Sequence, residues 1–537
     1  MEYKSWLEYI GVPATPAQSP RMRERPRASG RNPYAGATSD RLVADSLATM
    51  GILSANAEIR MGLRALRQRA RALARNSEFV KSFVRLLRNN VPGPYGFKFA
   101  SKVRKPRGAM DDVANGLIEG AYKTYSRRGA FTACGTLSRT EFERALCRDL
   151  AVDGEFLVEL VPGFASNGWG FAVRRLDPDL LDDELNCAWG STTPGGQYVD
   201  RDREIRMGVE RDRWGRHTAY WLLNNHRGED YAANTGAPLH RRMPADRILH
   251  RFLADDERPG AVRGVPPLAV ALRRMGMLAG YEDAALVGAR AGASKMAFYQ
   301  PPEDGPANPD ELADAEEDGN LLSEFEPGTM GVLPPGWDIK SFDPTYPNEK
   351  FGDFRKAMLR AFAAGVGINY NAIASDLEGV NLSSIRYGVQ DDRAVYEALQ
   401  NWFIENLCEP IYGSWLPSAL AFGKIGRLPM GPDAEARFNA PLFTGRGWQY
   451  MDPLKDVKTD KESIDLRIKS RTRVCAERGE DFEEVLAEIK NDEALAQAYG
   501  VTLLAAQPAA PSEPAAKPTA AASAEADESG KPENEDE

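Results

Sequence analysis

The stretch SDLEGVNLSSIRYGVQDDRAVYEALQNWFIENLCEP, from Ser375 to Pro410, predicts the element around which the chain is built. Its apolar residues recur at three- and four-residue steps, the spacing of one face of an α-helix. They are Ile385, Val389, Tyr396, Leu399, Phe403 and Leu407. Ser383 or Ser384 is expected to cap the N-terminus, and Pro410 is expected to end the helix, because proline cannot donate the next backbone hydrogen bond. About 26 residues at about 1.5 Å each give a rod of about 39 Å.

A turn at Gly379 precedes this helix, and residues Lys350 to Val366 predict a second helix before the turn. The order of helix, glycine-bounded loop and long helix fits two interpretations. One is an ordinary connection between helices in a large α-rich domain. The other is a loop that projects from two helices and grips something passing through a ring. Spacing alone does not separate them.

The length and composition indicate a folded chain with one domain or several. It has 537 residues, of which 42% are hydrophobic and 27% charged, enough to bury a substantial core. No run reaches the roughly 18 uninterrupted apolar residues that a membrane span requires, which argues against a membrane pore. The N-terminus lacks a basic segment followed by an apolar core, so no secretory signal is expected.

The cysteines and histidines predict neither a metal site nor a disulfide framework. The five cysteines are scattered without a C-x-x-C pair, and the four histidines lack ligand-like spacing. They are Cys134, Cys147, Cys187, Cys408, Cys475, His217, His226, His240 and His250. This usage fits a reducing compartment and a protein without a metal or other cofactor.

Charge is distributed unevenly along the chain. The net charge is −10, but residues 1–110 contain 21 Lys and Arg against 7 Asp and Glu, a balance of +14 that leaves −24 for the rest. A basic segment on an acidic body predicts that the chain meets a polyanion or an acidic neighbour at one end.

The first 90 residues predict an arm and then helices. Residues 1–40, rich in Pro, Arg and Ser, are expected to be disordered, with nucleic-acid binding by the arginines as the alternative. Ala55 to Asn90 is helical in pattern, with a break and fresh cap at Asn76 and Ser77. One face of its first half carries four arginines. They are Arg64, Arg67, Arg71 and Arg75.

The middle of the chain predicts a mostly antiparallel α+β region. Helices are expected at 111–128 and 139–149, and strands at 154–160, 170–176, 204–210, 217–223 and 248–252. The acidic run at 181–184 is interpreted as a solvated loop, since nothing nearby in sequence supplies a nucleophile or a metal ligand. The pair Asp391 and Asp392 is interpreted in the same way.

A helix rich in small residues is expected to open at Pro266 and Pro267, since proline fits the first helical turn. Strands at 296–299 and 337–342 flank an acidic, Pro-rich insertion. One final helix is expected over 457–478, and residues 505–537 are expected to be disordered and acidic.

Enzymatic motifs are missing from the sequence. It has no G-x-x-x-x-G-K-[ST] phosphate loop, no G-x-S-x-G elbow and no H-E-x-x-H pair, so no catalytic residue is assigned. The alternative function is a nucleic-acid-processing enzyme or motor subunit with a divergent active site.

Three short patterns resemble the portal proteins of lambda-type tailed phages. They are EGVNLSSIR (Glu378 to Arg386), RPGAVRGVPPL (Arg258 to Leu268) and W-x-x-x-DP-x-KD (Trp448 to Asp456). They occur in the order found in that family, and the resemblance runs from about Arg41 to Glu493. It implies an α+β subunit with a wing, a two-helix stem, a small α/β clip, a long kinked helix with a tunnel loop, and a helical crown.

The resemblance also implies domain limits. They are the arm 1–40, N-terminal helices and wing 41–265, first stem helix 266–295, clip 296–346, second stem helix 347–374, tunnel loop with long helix and wing return 375–454, crown 455–504 and tail 505–537.

The function that the resemblance implies is that of a head-tail connector in the virion, assembled in the host cytoplasm. Twelve copies would form a ring at one capsid vertex, through which double-stranded DNA is packaged and ejected. Implied partners are the terminase large subunit, a head-tail adaptor, the major capsid protein and scaffold.

The implied tunnel-loop residues are Asp376, Leu377, Glu378, Gly379, Val380 and Asn381. The implied stem contacts to DNA are Lys350, Arg355 and Lys356. The implied docking residues of the clip are Asp310, Glu311, Asp314, Glu316, Glu317 and Asp318.

Overall fold

A computed structural model describes residues 53–106, 108–229, 239–254, 257–293, 297–300, 338–341, 351–426, 428, 434–448 and 452–501. Within these residues helices and antiparallel strands are mixed, so the predicted α+β class is confirmed. The predicted arm, Lys350, the six clip docking residues and the acidic tail lie outside the described residues.

Two helices open the described chain. They are α1, Ala55–Asn76, and α2, Glu78–Asn90. The predicted break between them is confirmed, because Ser77 has extended backbone and its side chain accepts a hydrogen bond from the Val80 amide at 3.5 Å. A serine cap of this kind satisfies an N–H that the new helix leaves without a partner.

Two antiparallel sheets follow, preceded by α3, Asp112–Tyr125, and α4, Arg139–Asp153. The strand orders are β3-β2-β8 and β4-β5-β6-β7. Their bounds are β2 Glu155–Phe164, β3 Gly170–Leu176, β4 Arg203–Arg206, β5 Val209–Asp212, β6 His217–Leu223, β7 His240–Pro244 and β8 Ile248–Phe252. The single strand predicted over 204–210 is wrong. Met207 and Gly208 have φ of 47° and 80° and form a two-residue hairpin turn between β4 and β5.

The first sheet and the helices share an aromatic core that also joins distant parts of the chain. Trp415 is fully buried, with its ring 4.9 Å from that of Tyr122 and 5.6 Å from that of Tyr125. Nearby, β1, Lys98–Ser101, pairs antiparallel with β11, Pro441–Thr444. The N-terminal and C-terminal parts of the chain therefore form one body here.

A charged cluster is buried between α1, β2, β8 and residues 257–266. Glu155 is fully buried and lies 2.6 Å from both the Arg263 and the Arg67 guanidinium groups. It also lies 3.0 Å from His250 Nε2 and accepts from the Gly264 amide at 2.9 Å. Burial alone would raise the pKa of Glu155, but the charges of Arg263 and Arg67 outweigh it and hold that pKa well below its usual range.

The elements predicted as stem and clip lie next in the chain. Pro267–Val270 form a 3₁₀ turn before helix α5, Leu272–Ala293. Strands β9, Ala297–Gln300, and β10, Asp338–Ser341, pair antiparallel, and α6, Phe351–Val366, follows. The helix therefore starts later than Pro266, after a 3₁₀ turn.

The long helix does not end at Pro410 as predicted. It comprises α8 Leu382–Phe403, a π-helical turn Ile404–Cys408 and α9 Glu409–Ala421. In the π turn the Glu409 amide donates to the Ile404 carbonyl, five residues back. This places Pro410 in the first turn of α9, where its missing N–H removes no interior hydrogen bond.

The segment predicted as one final helix over 457–478 is instead broken. The helices of this region are α10 Ala434–Phe438, α11 Pro453–Asp465, α12 Arg471–Glu477 and α13 Phe482–Ala498. Arg467 has φ of 59°, a left-handed conformation that ends α11. Ion pairs of Lys102 with Asp481 at 2.6 Å, and of Arg386 with Asp456 at 3.0 Å, join this region to the body.

Candidate DNA-channel site

The candidate site is the loop between α6 and α8. A short helix that the sequence did not predict, α7, Tyr370–Ala374, precedes it. Ser375, with φ of 53°, ends α7, and Gly379, with φ of 67°, turns the chain back toward α8. The predicted turn at Gly379 is confirmed, since a positive φ is the conformation that glycine adopts without a steric penalty.

The cap of α8 is Asn381 and not one of the predicted serines. Its side-chain oxygen accepts from the Ser384 amide at 2.8 Å. The helix therefore begins two to three residues before the predicted position, and the last residue assigned to the tunnel loop has a structural role in α8. Asparagine is as good a cap as serine, so the choice depended on where the loop ends.

Two carboxylates of the loop are held by a cation on the preceding helix. Lys356 on α6 lies 3.2 Å from Glu378 and 3.7 Å from Asp376. The hydrogen bond with Glu378 and the charge of Asp376 raise the pKa of Lys356. The Lys356 charge therefore compensates loop charge within the chain.

Tyr370 is a partner that sequence reasoning missed. Its hydroxyl donates to Asp376 at 2.7 Å, which lowers the pKa of the carboxyl. Burial and the same hydrogen bond raise the pKa of Tyr370 to about 12. The Arg360 guanidinium stacks 5.6 Å from the tyrosine ring. No sequence pattern marks Tyr370, because α7 is too short to show a period.

The base of the loop is fixed to α8 by a buried polar contact. Asn369 donates through its backbone amide to Asp392 at 2.9 Å and through its side chain to the Gly388 carbonyl at 2.6 Å. Asp392 is only 5% exposed, and burial raises the pKa of its carboxyl. The interpretation of this aspartate as solvated is therefore wrong, because a loop distant in sequence covers it.

The tip of the loop remains open to solvent. Leu377 is 65% exposed, and the Glu378 side chain is 83% exposed. Val380 is half-buried. A loop of this composition presents carboxylate and aliphatic groups to whatever passes it, and such groups do not bind phosphate.

Arg355 lies on α6, one residue before Lys356, but it contacts other partners. Its guanidinium pairs with Glu282 on α5 at 2.9 Å and stacks 5.4 Å from the Phe79 ring. Both predicted stem cations that the structure describes are thus partly neutralised by carboxylates of the same chain. Their contact with DNA stays a prediction.

The basic face of α1 meets carboxylates of its own chain, so the polyanion or acidic neighbour expected from the charge pattern stays a prediction. Arg71 pairs with Asp153 at 2.6 Å and with Asp179 at 2.5 Å. Arg64 donates to Asp183 at 3.1 Å. The prediction of a solvated loop at 181–184 is wrong for Asp182 and Asp183, which are both buried.

One group of three side chains among the described residues could approach a metal ion: Asp177, Asp179 and His226. The guanidinium of Arg71 already pairs with both aspartates, at 2.9 Å and 2.5 Å. We therefore propose no metal there. No described helix has the length and apolarity needed to cross a bilayer.

Comparison with known structures gives distant likenesses. The neck of the native gene transfer agent particle, computed with C12 symmetry, is 13% identical and aligns over 79% of this chain and 93% of that chain at a TM-score of 0.40. An HK97 family phage portal protein from Corynebacterium diphtheriae is 10% identical over 72% and 95% of the two chains at 0.28. At these scores the structures carry no conclusion about function.

Comparison of sequences is decisive. The family described as phage portal protein, lambda family, matches residues 47–400. The probable portal protein of Halomonas phage phiHAP-1 is 33% identical over 428 residues, covering 80% of this chain and 79% of the relative. Portal protein B of Escherichia phage lambda is 22% identical over 140 residues, 25% and 26% of the two chains. The chain therefore belongs to the lambda family of phage portal proteins, and its role is that of a subunit of a portal ring.

Proposed function

We propose that twelve copies of this chain form a closed ring at one vertex of a phage capsid, and that double-stranded DNA is packaged and ejected through the ring. The family match over residues 47–400 carries this proposal. The chain is a passive conduit and not an enzyme, and a separate ATPase supplies the energy. A nucleic-acid-processing enzyme or motor subunit gains no support from the relatives.

The exposed side of helix α5 supports assembly with other copies. From Ala279 to Arg290 none of its side chains is buried by the described residues. Met277, Leu286 and Val287 are each more than 60% exposed. A helix with apolar residues exposed on several sides is stabilised by packing against further helices, which neighbouring copies in a ring supply.

The 375–381 loop is the proposed DNA-facing element. Its carboxylates balance Lys356, and Arg355 is engaged by Glu282, so both described stem cations are already paired with carboxylates and are less available to bind phosphate. Each phosphate contact adds affinity through counterion release, and many such contacts would hold DNA still. A channel wall whose cations are paired with carboxylates lets DNA slide past without binding it tightly.

The proposed partners follow from the ring. The terminase large subunit and then the head-tail adaptor dock on the clip (296–346), while the major capsid protein and scaffold surround the ring. We assign terminase and adaptor docking to the acidic clip residues Asp310 to Asp318 and assembly to the host cytoplasm.

Light scattering on a sizing column, with negative-stain images of the same peak, tests the ring. We expect a particle of about twelve times the 59.1 kDa chain mass with a central hole. A monomer that cleaves DNA or hydrolyses ATP would overturn the proposal.

Removal of the loop tip tests the channel assignment. Replacing residues 376–380 with a Gly-Ser linker keeps Asn381 as the α8 cap, so rings should still form. DNA retention in assembled heads should fall. Loss of rings would show that the loop is needed for the subunit fold and not for the channel.

A further inference from the structure

A basic cleft lies beside the base of the 375–381 loop, and the cations that line it take no part in the site described above. Its volume is about 610 Å³. The cations that line it come from α2 and α4, and the opposite wall is Ile373 to Ser375. The lining cations are Lys81, Arg85, Arg88 and Arg148, and Glu78 is the carboxylate at its edge.

The cations of this cleft lack the partners that other arginines of the chain have. Within the described residues, Lys81, Arg85 and Arg88 form no ion pair with a carboxylate. Arg85 donates to the Ser82 hydroxyl at 3.3 Å, and the Nε of Arg88 is buried without a hydrogen-bond partner among described groups. Arg148 lies 3.8 Å from Asp149, whose carboxylate Arg175 already holds at 2.5 Å.

The neighbourhood of the cleft therefore carries uncompensated positive charge. Arg144, next to it on α4, donates to the backbone carbonyls of Arg88 and Gly93 at 2.9 Å and 2.6 Å. Burial and the charge of Arg88 lower the pKa of Arg144. In contrast, Arg64 and Arg71 on α1 each form ion pairs with carboxylates of the same chain. An anionic group is the missing partner of the cleft.

The shape and floor of the cleft favour a protein segment over a nucleic acid. Apolar side chains, among them Ala74, Phe79 and Val84, line it between the cations. A duplex is too wide to enter 610 Å³ and would touch only the exposed rim at Lys81 and Arg85. A peptide segment with carboxylate and aliphatic side chains satisfies both the cations and the apolar floor.

We propose that this basic cleft receives a carboxylate-bearing segment of a neighbouring copy of the same chain. The proposal rests on the proposed ring. In a ring the contact between copies is heterologous, so that a basic surface of one copy meets a different surface of the next. The chain supplies the complementary charge, since residues beyond 110 carry −24. The occupant also touches Ser375, at the start of the loop.

Charge reversal in the full-length protein tests this docking. We expect a Lys81→Glu/Arg85→Glu variant to need at least about tenfold more protein than wild type to reach the same ring fraction by light scattering, because like charges would then face each other. The neutral Lys81→Gln/Arg85→Gln variant should show a smaller shift. Arg69→Glu is the matched control, an exposed arginine of α1 outside the cleft, and should assemble as wild type does.

Two further measurements separate the outcomes. Unchanged circular dichroism and thermal midpoints would show that the variants fold, and a fluorescent 30-base-pair duplex reports DNA affinity. Rings at wild-type concentration with weaker duplex binding would overturn the proposal in favour of a phosphate site. Rings and duplex binding both unchanged would overturn it outright. A wild-type chain that never forms rings would overturn the proposed function itself, and the docking with it.

Discussion

Two ionic clusters of this protein contain similar groups in opposite surroundings. In the buried cluster, Glu155 and Arg263 lie 2.6 Å apart with no exposed surface on either side chain. In the loop cluster, Lys356 and Glu378 lie 3.2 Å apart with 37% and 83% of their side chains exposed. Each cluster contains residues of a pattern that resembles the family. Arg263 belongs to the first pattern in the chain, and Glu378 to the second.

The contrast in burial indicates that the two patterns serve different purposes. Removing one partner of a buried pair leaves an uncompensated charge in a medium of low dielectric constant and costs about 3–5 kcal/mol. An exposed pair contributes about 0–1 kcal/mol, since water solvates both groups when they part. The pattern around Arg263 therefore holds the fold, whereas the pattern around Glu378 is free to serve the channel.

Removal of Arg263 should have the largest effect. Arg263→Ala leaves Glu155 short of its main partner and removes donors to the Leu181 and Pro178 carbonyls, at 2.9 Å and 3.0 Å. We expect the free energy of unfolding, measured by urea titration, to fall by about 3–5 kcal/mol. Arg69→Ala, at an exposed site of α1, should change it by less than about 0.5 kcal/mol. A loss below 1 kcal/mol for Arg263→Ala would remove the distinction between the clusters.

The glycine after Arg263 should tolerate no side chain. A Cβ on Gly264 would lie 2.3 Å from the Gly154 carbonyl oxygen and 2.5 Å from Phe252 Cβ. Gly264→Ala should therefore cost about 3 kcal/mol of unfolding free energy, because the backbone at Gly154, which joins α4 to β2, cannot move away. Gly276→Ala on α5 is the control, since no described atom outside the adjoining turns of α5 lies within 4 Å of that Cβ, and it should stabilise by up to about 1 kcal/mol. Equal effects at both glycines would refute close packing at Gly264.

Acid should lower the stability of the fold around the buried charged cluster, because a histidine beside that cluster must stay neutral in the folded protein. The ring of His217 stacks 6.2 Å from that of His250, and burial together with the His250 charge lowers the pKa of His217 to about 4. Folding keeps this imidazole neutral, so its contribution to stability is present above pH 6.5 and is lost as pH falls toward 4. As the pH is lowered from 7 to 4, the thermal midpoint of the His217→Gln variant should fall less steeply than that of the wild type. An unchanged slope in that variant would exclude His217 as the group responsible.

The N-terminal cap of α8 is a position where the structure and the sequence prediction differ. Asn381→Ala removes the acceptor of the Ser384 amide and should cost about 1 kcal/mol, seen as faster hydrogen exchange in the first turn of α8. Ser383→Ala should leave that exchange unchanged, since Ser383 is not the cap. The reverse result would restore the serine as the cap.

The sequence predicted those elements whose cause is local. The break at Ser77, the strand at 170–176 and the turn at Gly379 depend on a cap, an alternation and a positive φ, each of which neighbouring residues decide. The passage of the helix through Pro410 could not be predicted, because a π turn that ends two residues earlier, at Cys408, accommodates the ring. Burial of Asp182 and Asp392 depends on partners 58 and 23 residues away.

For the candidate site, sequence predicted the loop but not what holds it. The sequence predicts Lys356 as a contact to DNA, and the structure adds that this residue pairs with the loop itself. Tyr370 and Asn369 were missed, since a five-residue helix and a polar connection give no periodic signal. Resemblance predicts the positions of a site. Only the folded chain shows which charges are already compensated.

Loss of Lys356 should have the smallest effect on stability and a clear effect on the loop. Lys356→Ala breaks two exposed ion pairs, so the free energy of unfolding should change far less than in Arg263→Ala. The 375–381 loop should nevertheless open more often, because Glu378 loses the cation that pairs with it among the described residues. Asp376 then keeps the hydrogen bonds from the Tyr370 hydroxyl and the Glu378 amide. Limited proteolysis within the loop should be several-fold faster. Arg355→Ala, which breaks the pair with Glu282 and leaves the loop contacts intact, is the matched control and should be cut at the wild-type rate. Equal rates of cutting in all three proteins would show that Tyr370 and Asn369 hold the loop without Lys356. A loss of stability in Lys356→Ala as large as that in Arg263→Ala would mean that the exposed cluster, like the buried one, holds the fold.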